Sequence, residues 1–418
     1  MFSENSLWQV GWLLAATVIA GSFNYLANVL VGKLLGPEEY GIYAALLAFS
    51  IILGAPTSVI HTIVANYCAR FAATSSSFRQ VNTLLRSALR SLLPLGVAGV
   101  ILIAIFSGLI ATFLHIPSFV PVVVVGFSLL PTVLLPVSLG GLQGLQRFGR
   151  YGTAQIASGG LRLILGIGLV LLGWGVAGAL AGGVLAGLGA FMLGWWWLQD
   201  VVTGPRNQEA EKPGKSILRK ELSSFSANVI LAVLSFMVLT YIDTIMVKNR
   251  FAPLEAGLYS ATATIGRVVL YAPMAVVTFM FPRIAGEHAQ GNSTARPVRL
   301  AMLVTAGLCS FGVLIFSIRP ELVMGLLFGQ QFLGEAALLV PYTIAMLLLA
   351  LVNVWMYYFL AVQESRYTLF MLVAAVLVII VLFSLPLSLR GVVWTLAICA
   401  AVLVLAGEGL LRFRHGQP

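Results

Sequence analysis

Twelve long apolar segments divide the sequence and limit what the chain can fold into. Each holds about 20 mostly apolar residues, the length at which a helix crosses the hydrocarbon core of a bilayer. The segments cover residues 8–32, 41–66, 91–114, 118–140, 151–173, 176–198, 225–247, 257–282, 299–318, 336–360, 367–387 and 391–411. We therefore predict an all-α, polytopic membrane protein with twelve transmembrane helices.

The composition excludes several other classes of protein. Of 418 residues, 60% are hydrophobic and 9% are charged, whereas soluble proteins have about 45–50% apolar and about 25% charged residues. A soluble enzyme, a disulfide-rich secreted domain and a disordered chain are therefore excluded.

The first segment lacks a basic start and is too long for a signal peptide, so we expect it to be retained. The three cysteines and four histidines are scattered, and we predict no metal site and no cofactor.

The basic charges are distributed unevenly between the predicted loops. If both termini are cytoplasmic, 17 of the 24 Lys and Arg residues lie on the cytoplasmic side and 5 lie outside. The remaining two, Arg162 and Arg267, fall within predicted spans. Cytoplasmic loops of membrane proteins carry this excess of positive charge. The net charge of +10 is thus explained by topology, and we expect no nucleic-acid partner.

The second half of the sequence repeats features of the first half. Residues 37–43 and 253–259 share the pattern Pro-x-Glu-x-Gly-x-Tyr at an offset of 216 residues, and Gly-Val recurs at 175–176 and 391–392 at the same offset. Such a constant offset indicates an internal duplication. The Pro and Gly of the pattern favour a tight outer turn, its Tyr is typical of the membrane interface, and its Glu could cap the following helix. A direct role in gating the outer mouth is the alternative.

The duplication predicts two six-helix bundles. They comprise residues 1–198 and 225–418, and a polar cytoplasmic linker of residues 199–224 joins them. Because six is an even number, both bundles enter the membrane from the same side, which predicts a parallel pseudo-twofold repeat about the membrane normal. In such transporters the substrate path lies between the repeats at mid-depth. We therefore expect alternating access rather than a channel.

Two stretches of sequence resemble a known family. Residues 34–43 read Leu-Leu-Gly-Pro-Glu-Glu-Tyr-Gly-Ile-Tyr, and Tyr-Ile-Asp-Thr-Ile-Met-Val-Lys at 241–248 is followed by Pro-Leu-Glu-Ala-Gly-Leu-Tyr-Ser at 253–260. Both are similar to the polysaccharide biosynthesis family of oligosaccharide flippases, within the multidrug/oligosaccharidyl-lipid/polysaccharide exporter superfamily. The loop at 69–75 does not fit the motif of the major facilitator fold, the other large twelve-helix class.

The resemblance implies a function and a shape. Members of this family move a polyprenyl-pyrophosphate-linked oligosaccharide across the bacterial inner membrane for surface polysaccharide biosynthesis. The implied fold is a V of two six-helix bundles around a central cavity. We accordingly expect a multi-pass inner-membrane protein that is not an enzyme and functions as a monomer. Its expected partners are the lipid-linked oligosaccharide, membrane lipid and polysaccharide polymerase or glycosyltransferase machinery.

Three ionisable residues lie within the predicted spans, where charge is costly and indicates function. Arg162 and Arg267 are near mid-depth, and Asp243 is closer to the outer end of its span. Arginine binds phosphate through two parallel hydrogen bonds without losing its proton. One Arg from each half therefore suggests a pyrophosphate clamp. As alternatives, Arg267 pairs with Asp243 or a carbonyl, and Arg162 packs against a carbonyl or snorkels. Asp243 is a proton or sodium site, the partner of Arg267, or an interfacial group.

Neutral polar residues extend the candidate substrate site. Asn24, Asn28 and Asn228 offer hydrogen-bond donors and acceptors to a sugar, and Asn24 and Asn28 share one helix face because they are four residues apart. Hydrogen bonding between helices explains these residues equally well.

Two other functions compete with the flippase. A cation-coupled multidrug exporter of the same superfamily would use a lone acid at mid-depth, for which Asp243 is the only candidate. A membrane glycan polymerase or ligase would require a large outer loop with catalytic polar residues. The longest predicted outer loop, 319–335, offers only Arg319, Glu321 and Glu335, so the enzyme is the weaker alternative.

Overall fold

The computed structural model describes residues 4–72, 77–203, 226–273 and 294–415, with several single residues between 274 and 293. In these ranges the regular elements are helices, and no strand occurs. They are α1 (Glu4–Gly54), α2 (Thr57–Ala72), α3 (Ser77–Phe113), α4 (Val120–Gly144), α5 (Phe148–Leu169), α6 (Gly175–Trp196), α7 (Gln199–Val202), α8 (Ser226–Arg250), α9 (Pro253–Tyr271), α10 (Ala295–Ile318), α11 (Pro320–Leu327), α12 (Leu339–Ala361), α13 (Arg366–Ser384) and α14 (Leu389–His415). The predicted all-α fold is confirmed.

Nine helical stretches of the described residues are long and apolar enough to cross a membrane. Two of them, Gly11–Gly54 with 44 residues and Phe148–Trp196 with 49, are each long enough for two spans. The predicted span 257–282 falls partly on α9, which is not among the nine. A multi-pass membrane protein is thus supported. The count of twelve is not reproduced exactly, because two of the nine stretches each cover residues of two predicted spans and α9 is not counted.

Glycines divide the two longest helical stretches. Within α1, Gly36 has φ 76° and ψ 171°, and Pro37 follows it as the helix resumes. Between α5 and α6, a short π-helical turn contains Gly173 with φ 87° and leads into Gly175 with φ 50°. Positive φ is readily adopted by residues without a Cβ. These glycines therefore fix where the chain changes direction.

The chain forms two compact units. Unit 1 contains Met1–Leu35 and Leu53–Ala227, and unit 2 contains Gly36–Ile52 and Asn228–Pro418. The sequence placed residues 36–52 in the N-terminal bundle, whereas the structure groups them with the C-terminal half. Most of the predicted linker, residues 204–224, lies outside the described residues.

Unit 1 has a core of apolar side chains from α2, α3, α4 and the region around α7. Val64, Cys68, Leu85, Val137 and Leu198 are fully buried there.

At one end of unit 1, Arg86 donates to the Val202 carbonyl at 2.9 and 3.2 Å. Arg147 donates to the Trp197 carbonyl at 2.7 Å and pairs with Asp200, and its hydrogen bonds hold the pKa of the Asp200 carboxyl below its ordinary value. These contacts hold α3 against α7, and the start of α5 against the end of α6.

Unit 2 brings the two copies of the repeated motif together. A Cβ on Gly41 would lie 3.0 Å from the Gly257 nitrogen, and a Cβ on Gly257 would overlap the carbonyl of Pro37. The helix after Gly36 therefore packs directly on α9, backbone against backbone. This contact explains why residues 36–52 belong with the second unit.

The sequence predicts that the tyrosines of the repeated motif lie at the membrane interface. In the structure they are buried instead. Tyr43 is 2% exposed and Tyr259 is 0% exposed. The prediction was wrong because the two copies of the motif pack inside unit 2. The predicted cap is confirmed for the second copy, where the Glu255 carboxylate accepts a hydrogen bond from the Ala252 N–H at 3.4 Å.

Candidate functional site

Unit 1 brings three of the predicted site residues together. Arg162 on α5 donates from Nη1 to Asn24 Oδ1 at 2.9 Å and from Nη2 to Asn28 Oδ1 at 3.0 Å. The two asparagines are one turn apart on α1 and share a face, as their spacing predicted. All three side chains are half-buried. The guanidinium is thus bonded to two neutral amides and is partly exposed.

Glycines let α5 approach α1 closely enough for these bonds. A Cβ on Gly159 would lie 2.8 Å from the Ala20 carbonyl, and a Cβ on Gly152 would lie 2.8 Å from the Ala16 side chain. Small residues at a helix interface permit this distance in membrane proteins. Asn24 also donates to the Ala20 carbonyl at 2.9 Å, which fixes its amide so that the oxygen faces Arg162.

Unit 2 holds the other two ionisable residues in a closed network. Asp243 on α8 is 0% exposed and accepts hydrogen bonds from Arg267, Tyr259 and Tyr342, each at 2.9 Å. The Thr244 hydroxyl lies 3.3 Å from the same carboxylate. Buried carboxylates require such donors because they have lost their water.

Arg267 on α9 is as enclosed as its partner. Its side chain is 9% exposed, it donates to the Thr240 carbonyl at 3.2 Å and the Thr244 hydroxyl at 2.7 Å, and it lies 4.4 Å from the ring centre of Tyr241. Of the alternatives drawn from the sequence, the structure has Arg267 and Asp243 paired with each other.

The two arginines come from different helices of the repeat, but they bond to equivalent positions on the first helix of each half. Asn24 and Asn28 on α1 correspond, at the offset of 216, to Thr240 and Thr244 on α8. Both pairs bond to an arginine from another helix. The residue equivalent to Asp243 is Ala27. The second half therefore supplies a carboxylate at a position where the first half has a methyl group.

The remaining predicted residue lies elsewhere. Asn228 is half-buried near the start of α8, twelve residues or about 18 Å along the helix from Thr240. The structure does not bring it to Arg267. Among the described residues, no group of three or more His, Cys, Asp and Glu side chains could hold a metal ion.

Sequence reasoning missed the hydroxyl groups around Asp243. The offset of 216 could have identified Thr240 and Thr244 as counterparts of the two asparagines. Tyr342 gave no signal, because it is an aromatic residue in an apolar helix and only packing brings its hydroxyl to Asp243.

A family model described as polysaccharide biosynthesis protein matches residues 6–287. The chain belongs to this family. The polysaccharide biosynthesis family thus accounts for the resemblance of residues 34–43 and 241–260, both of which lie within the match. No curated protein matches the sequence significantly.

Solved structures of two kinds of membrane protein share the fold of this family member. An inward-facing multidrug resistance MATE family transporter of the MOP superfamily aligns with a TM-score of 0.73 and 16% identity, over 94% of this chain and 95% of that one. The lipid II flippase MurJ, in an inward closed conformation, aligns with a TM-score of 0.74 and 14% identity, over 97% and 87%. An outward-facing MATE transporter aligns with a TM-score of 0.64 and 18% identity, over 97% and 95%. At these identities the likeness shows the fold, that of transporters and flippases.

Proposed function

We propose that this protein is a flippase that moves a polyprenyl-pyrophosphate-linked oligosaccharide across the bacterial inner membrane for surface polysaccharide biosynthesis. The observation that carries the proposal is the Arg162 site. A guanidinium within an apolar helix is fixed there by the amides of Asn24 and Asn28, and both of these partners are neutral.

The chemistry of the site suits a pyrophosphate. Arginine stays protonated at any physiological pH and offers five N–H donors in one plane, of which Asn24 and Asn28 engage two groups. The two asparagines orient the guanidinium plane, and charge-assisted hydrogen bonds from such a plane bind an anion strongly. In a half-buried site this attraction is stronger than in water. A polyprenyl pyrophosphate brings its negative charge into such a site while its tail stays in lipid.

Arg267 has a different role in this proposal. Asp243 neutralises it and Thr240, Thr244 and Tyr241 surround it, so it stabilises unit 2 instead of forming the second arm of a clamp. The same pairing occupies Asp243, the one acid that a cation-coupled exporter would have used at this depth. This supports the flippase over the multidrug exporter, although MATE transporters share the fold.

Transport follows alternating access and requires no covalent chemistry. The head group enters from the cytoplasm, binds at Arg162 and leaves on the outer side, with both termini cytoplasmic. The protein functions as a monomer beside the glycosyltransferases that supply its substrate and the polymerase that consumes the product. MurJ, a flippase for lipid II by its name, supports a lipid-linked head group as cargo for this fold.

The proposal is tested in a strain that lacks the gene. We expect this strain to accumulate lipid-linked glycan on the cytoplasmic side, and the native protein to restore surface polysaccharide. Arg162→Gln should reduce restoration about tenfold or more at equal protein level, because charge-assisted hydrogen bonds contribute about 1.5–3 kcal/mol each. Arg366→Gln, which changes an exposed arginine at the start of α13, is the matched control.

One outcome would contradict the binding site, and another would contradict the flippase. Full restoration by Arg162→Gln would remove the binding site from the proposal. Unchanged lipid-linked glycan in the deletion strain, together with increased sensitivity to cationic drugs, would favour the multidrug exporter.

A further inference from the structure

A second polar cluster lies beside the Arg162 site on the same two helices. Gln155 on α5 donates from Nε2 to the Tyr151 hydroxyl at 2.7 Å, and its Oε1 lies 3.5 Å from the Thr17 hydroxyl on α1. Thr17 is exposed, Gln155 is half-buried and Tyr151 is 9% exposed. None of these residues is charged.

The cluster is in register with Arg162. Thr17 and Asn24 are seven residues apart on α1, and Gln155 and Arg162 are seven residues apart on α5, so each pair shares a helix face. Seven residues correspond to about 10 Å along a helix. The two helices thus present one polar strip, which is cationic at Arg162 and neutral toward the Phe148 end of α5.

The hydrogen-bond directions leave complementary groups for a ligand. The Thr17 hydroxyl donates to the Leu13 carbonyl at 2.8 Å, so its oxygen can accept from a ligand. The Tyr151 oxygen accepts from Gln155, so its own proton can be donated. The ring of His61 lies 6.1 Å from that of Tyr151, and the buried Nε2 of His61 has no hydrogen-bond partner in the described part of the chain. An orphaned polar atom beside the cluster indicates that a polar group belongs nearby.

We propose that Thr17, Gln155 and Tyr151 form a sugar subsite, which binds the first sugar ring attached to the pyrophosphate held at Arg162. This inference rests on the proposed function. Paired neutral acceptors and donors recognise sugar hydroxyls, and a neutral cluster avoids repelling or capturing the adjacent phosphate charge. The seven-residue spacing along α1 and α5, about 10 Å, is comparable to the length of a pyrophosphate followed by one sugar ring.

Binding to the purified protein in nanodiscs tests the subsite with two probes. One is a polyprenyl pyrophosphate that carries a single N-acetylhexosamine, and the other is the same lipid without a sugar. For the native protein, we expect tighter binding of the sugar-bearing lipid. The double variant Thr17→Val and Gln155→Met should lose about tenfold in affinity for it, corresponding to about 1.4 kcal/mol, and keep its affinity for the sugar-free lipid.

Three further variants make the result specific. Tyr151→Phe removes one hydroxyl and should reduce the preference for the sugar without unfolding the protein. Arg162→Gln should weaken both probes equally. Thr153 lies on the opposite face of α5, where its hydroxyl donates to the Gly149 carbonyl at 3.0 Å. Thr153→Val should therefore change neither affinity.

The outcomes separate the subsite from the proposed function. If native protein binds the sugar-free lipid and the double variant keeps the full preference for the sugar, the subsite is overturned while the flippase stands. If native protein binds neither lipid, the proposed function fails and the subsite fails with it. The thermal unfolding midpoint of each variant shows whether a loss of binding comes from unfolding, and Tyr151→Phe then decides the test.

Discussion

At the scale of single residues, one side chain separates the chemistry of two arginines. Arg162 and Arg267 both bond to the first helix of their half, at positions that the duplication makes equivalent. Asp243 stands beside Arg267, and Ala27 occupies the corresponding position near Arg162. Since a buried guanidinium next to a carboxylate is neutralised, Arg267 stabilises unit 2, whereas the amides of Asn24 and Asn28 that hold Arg162 are neutral.

Asn28→Asp tests this difference without removing Arg162. The substitution preserves the size of the side chain and places a carboxylate where the amide oxygen lies 3.0 Å from Nη2. We expect surface polysaccharide to fall about tenfold or more, since the new ion pair competes with the pyrophosphate, while thermal stability is kept. Gln199→Glu, an equally small change at an exposed position, should leave export unchanged. Normal export by Asn28→Asp would show that Arg162 does not bind the anion.

Asp243→Asn tests the structural role of the pair in unit 2. Removing the charge leaves Arg267 buried without its counterion, which we expect to destabilise the protein by roughly 3 kcal/mol and lower its unfolding midpoint. Because the partners are coupled, the double variant with Arg267→Gln should lose less than the two single variants together. A stable Asp243→Asn protein whose transport no longer depends on a proton or sodium gradient would instead identify an ion-coupling site.

At the scale of helices, close backbone contacts decide which element packs where. The helix segment after Gly36 meets α9 through Gly41 and Gly257. Tyr40 is buried against Phe328 and Phe332, with ring centres 5.2 and 6.0 Å away. This segment is covalently part of α1 but is packed in unit 2, so the bend at Gly36 is where the chain passes from one unit to the other.

Gly257→Ala should disturb this contact. Its Cβ would overlap the Pro37 carbonyl, and because a backbone atom cannot turn aside, the two helices must separate. We expect a loss of about 1–3 kcal/mol, which is typical of overpacking, measured by thermal unfolding in detergent. Gly307→Ala is the control, since a Cβ there meets nothing within 4 Å and alanine favours a helix interior by up to about 1 kcal/mol. Equal effects of the two substitutions would contradict the contact.

At the scale of the whole molecule, the distribution of Lys and Arg predicts the orientation in the membrane. The loop between α3 and α4 is predicted outside, and the loop between α12 and α13 is predicted in the cytoplasm. Each offers an exposed polar residue, Ser118 in the first and Gln363 in the second. Orientation can therefore be measured at these two points without altering a site residue.

Single cysteines at these points test the orientation. With Cys68, Cys309 and Cys399 changed to alanine, we expect Ser118→Cys to react with a membrane-impermeant maleimide in intact cells, and Gln363→Cys to react only after permeabilisation. The physical reason is the excess of positive charge that keeps loops cytoplasmic. The reverse pattern would invert the topology and move the predicted entry of the head group to the other side.

The candidate site was only partly accessible to sequence reasoning. The spacing of Asn24 and Asn28 predicted one shared helix face, and the depth of Arg162 and Arg267 singled them out from the other basic residues. The partner of each arginine could not be assigned, because the same apolar helices allow Asp243, a carbonyl or an amide as the acceptor. For Arg162, Gly152 and Gly159 determine the partner, because they allow α1 and α5 to approach closely.

The order of residues by itself predicted a helical membrane protein with an internal duplication, since the hydropathy pattern and the constant offset depend on nothing else. Residues 34–43 and 241–260 also placed it in its family. Only the tertiary structure decided that residues 36–52 pack with the second unit, that the motif tyrosines are buried, and that Asp243 neutralises Arg267. These facts depend on contacts between segments that are distant in the sequence. One is the close backbone approach at Gly41 and Gly257, and the other is the buried hydrogen-bond network around Asp243.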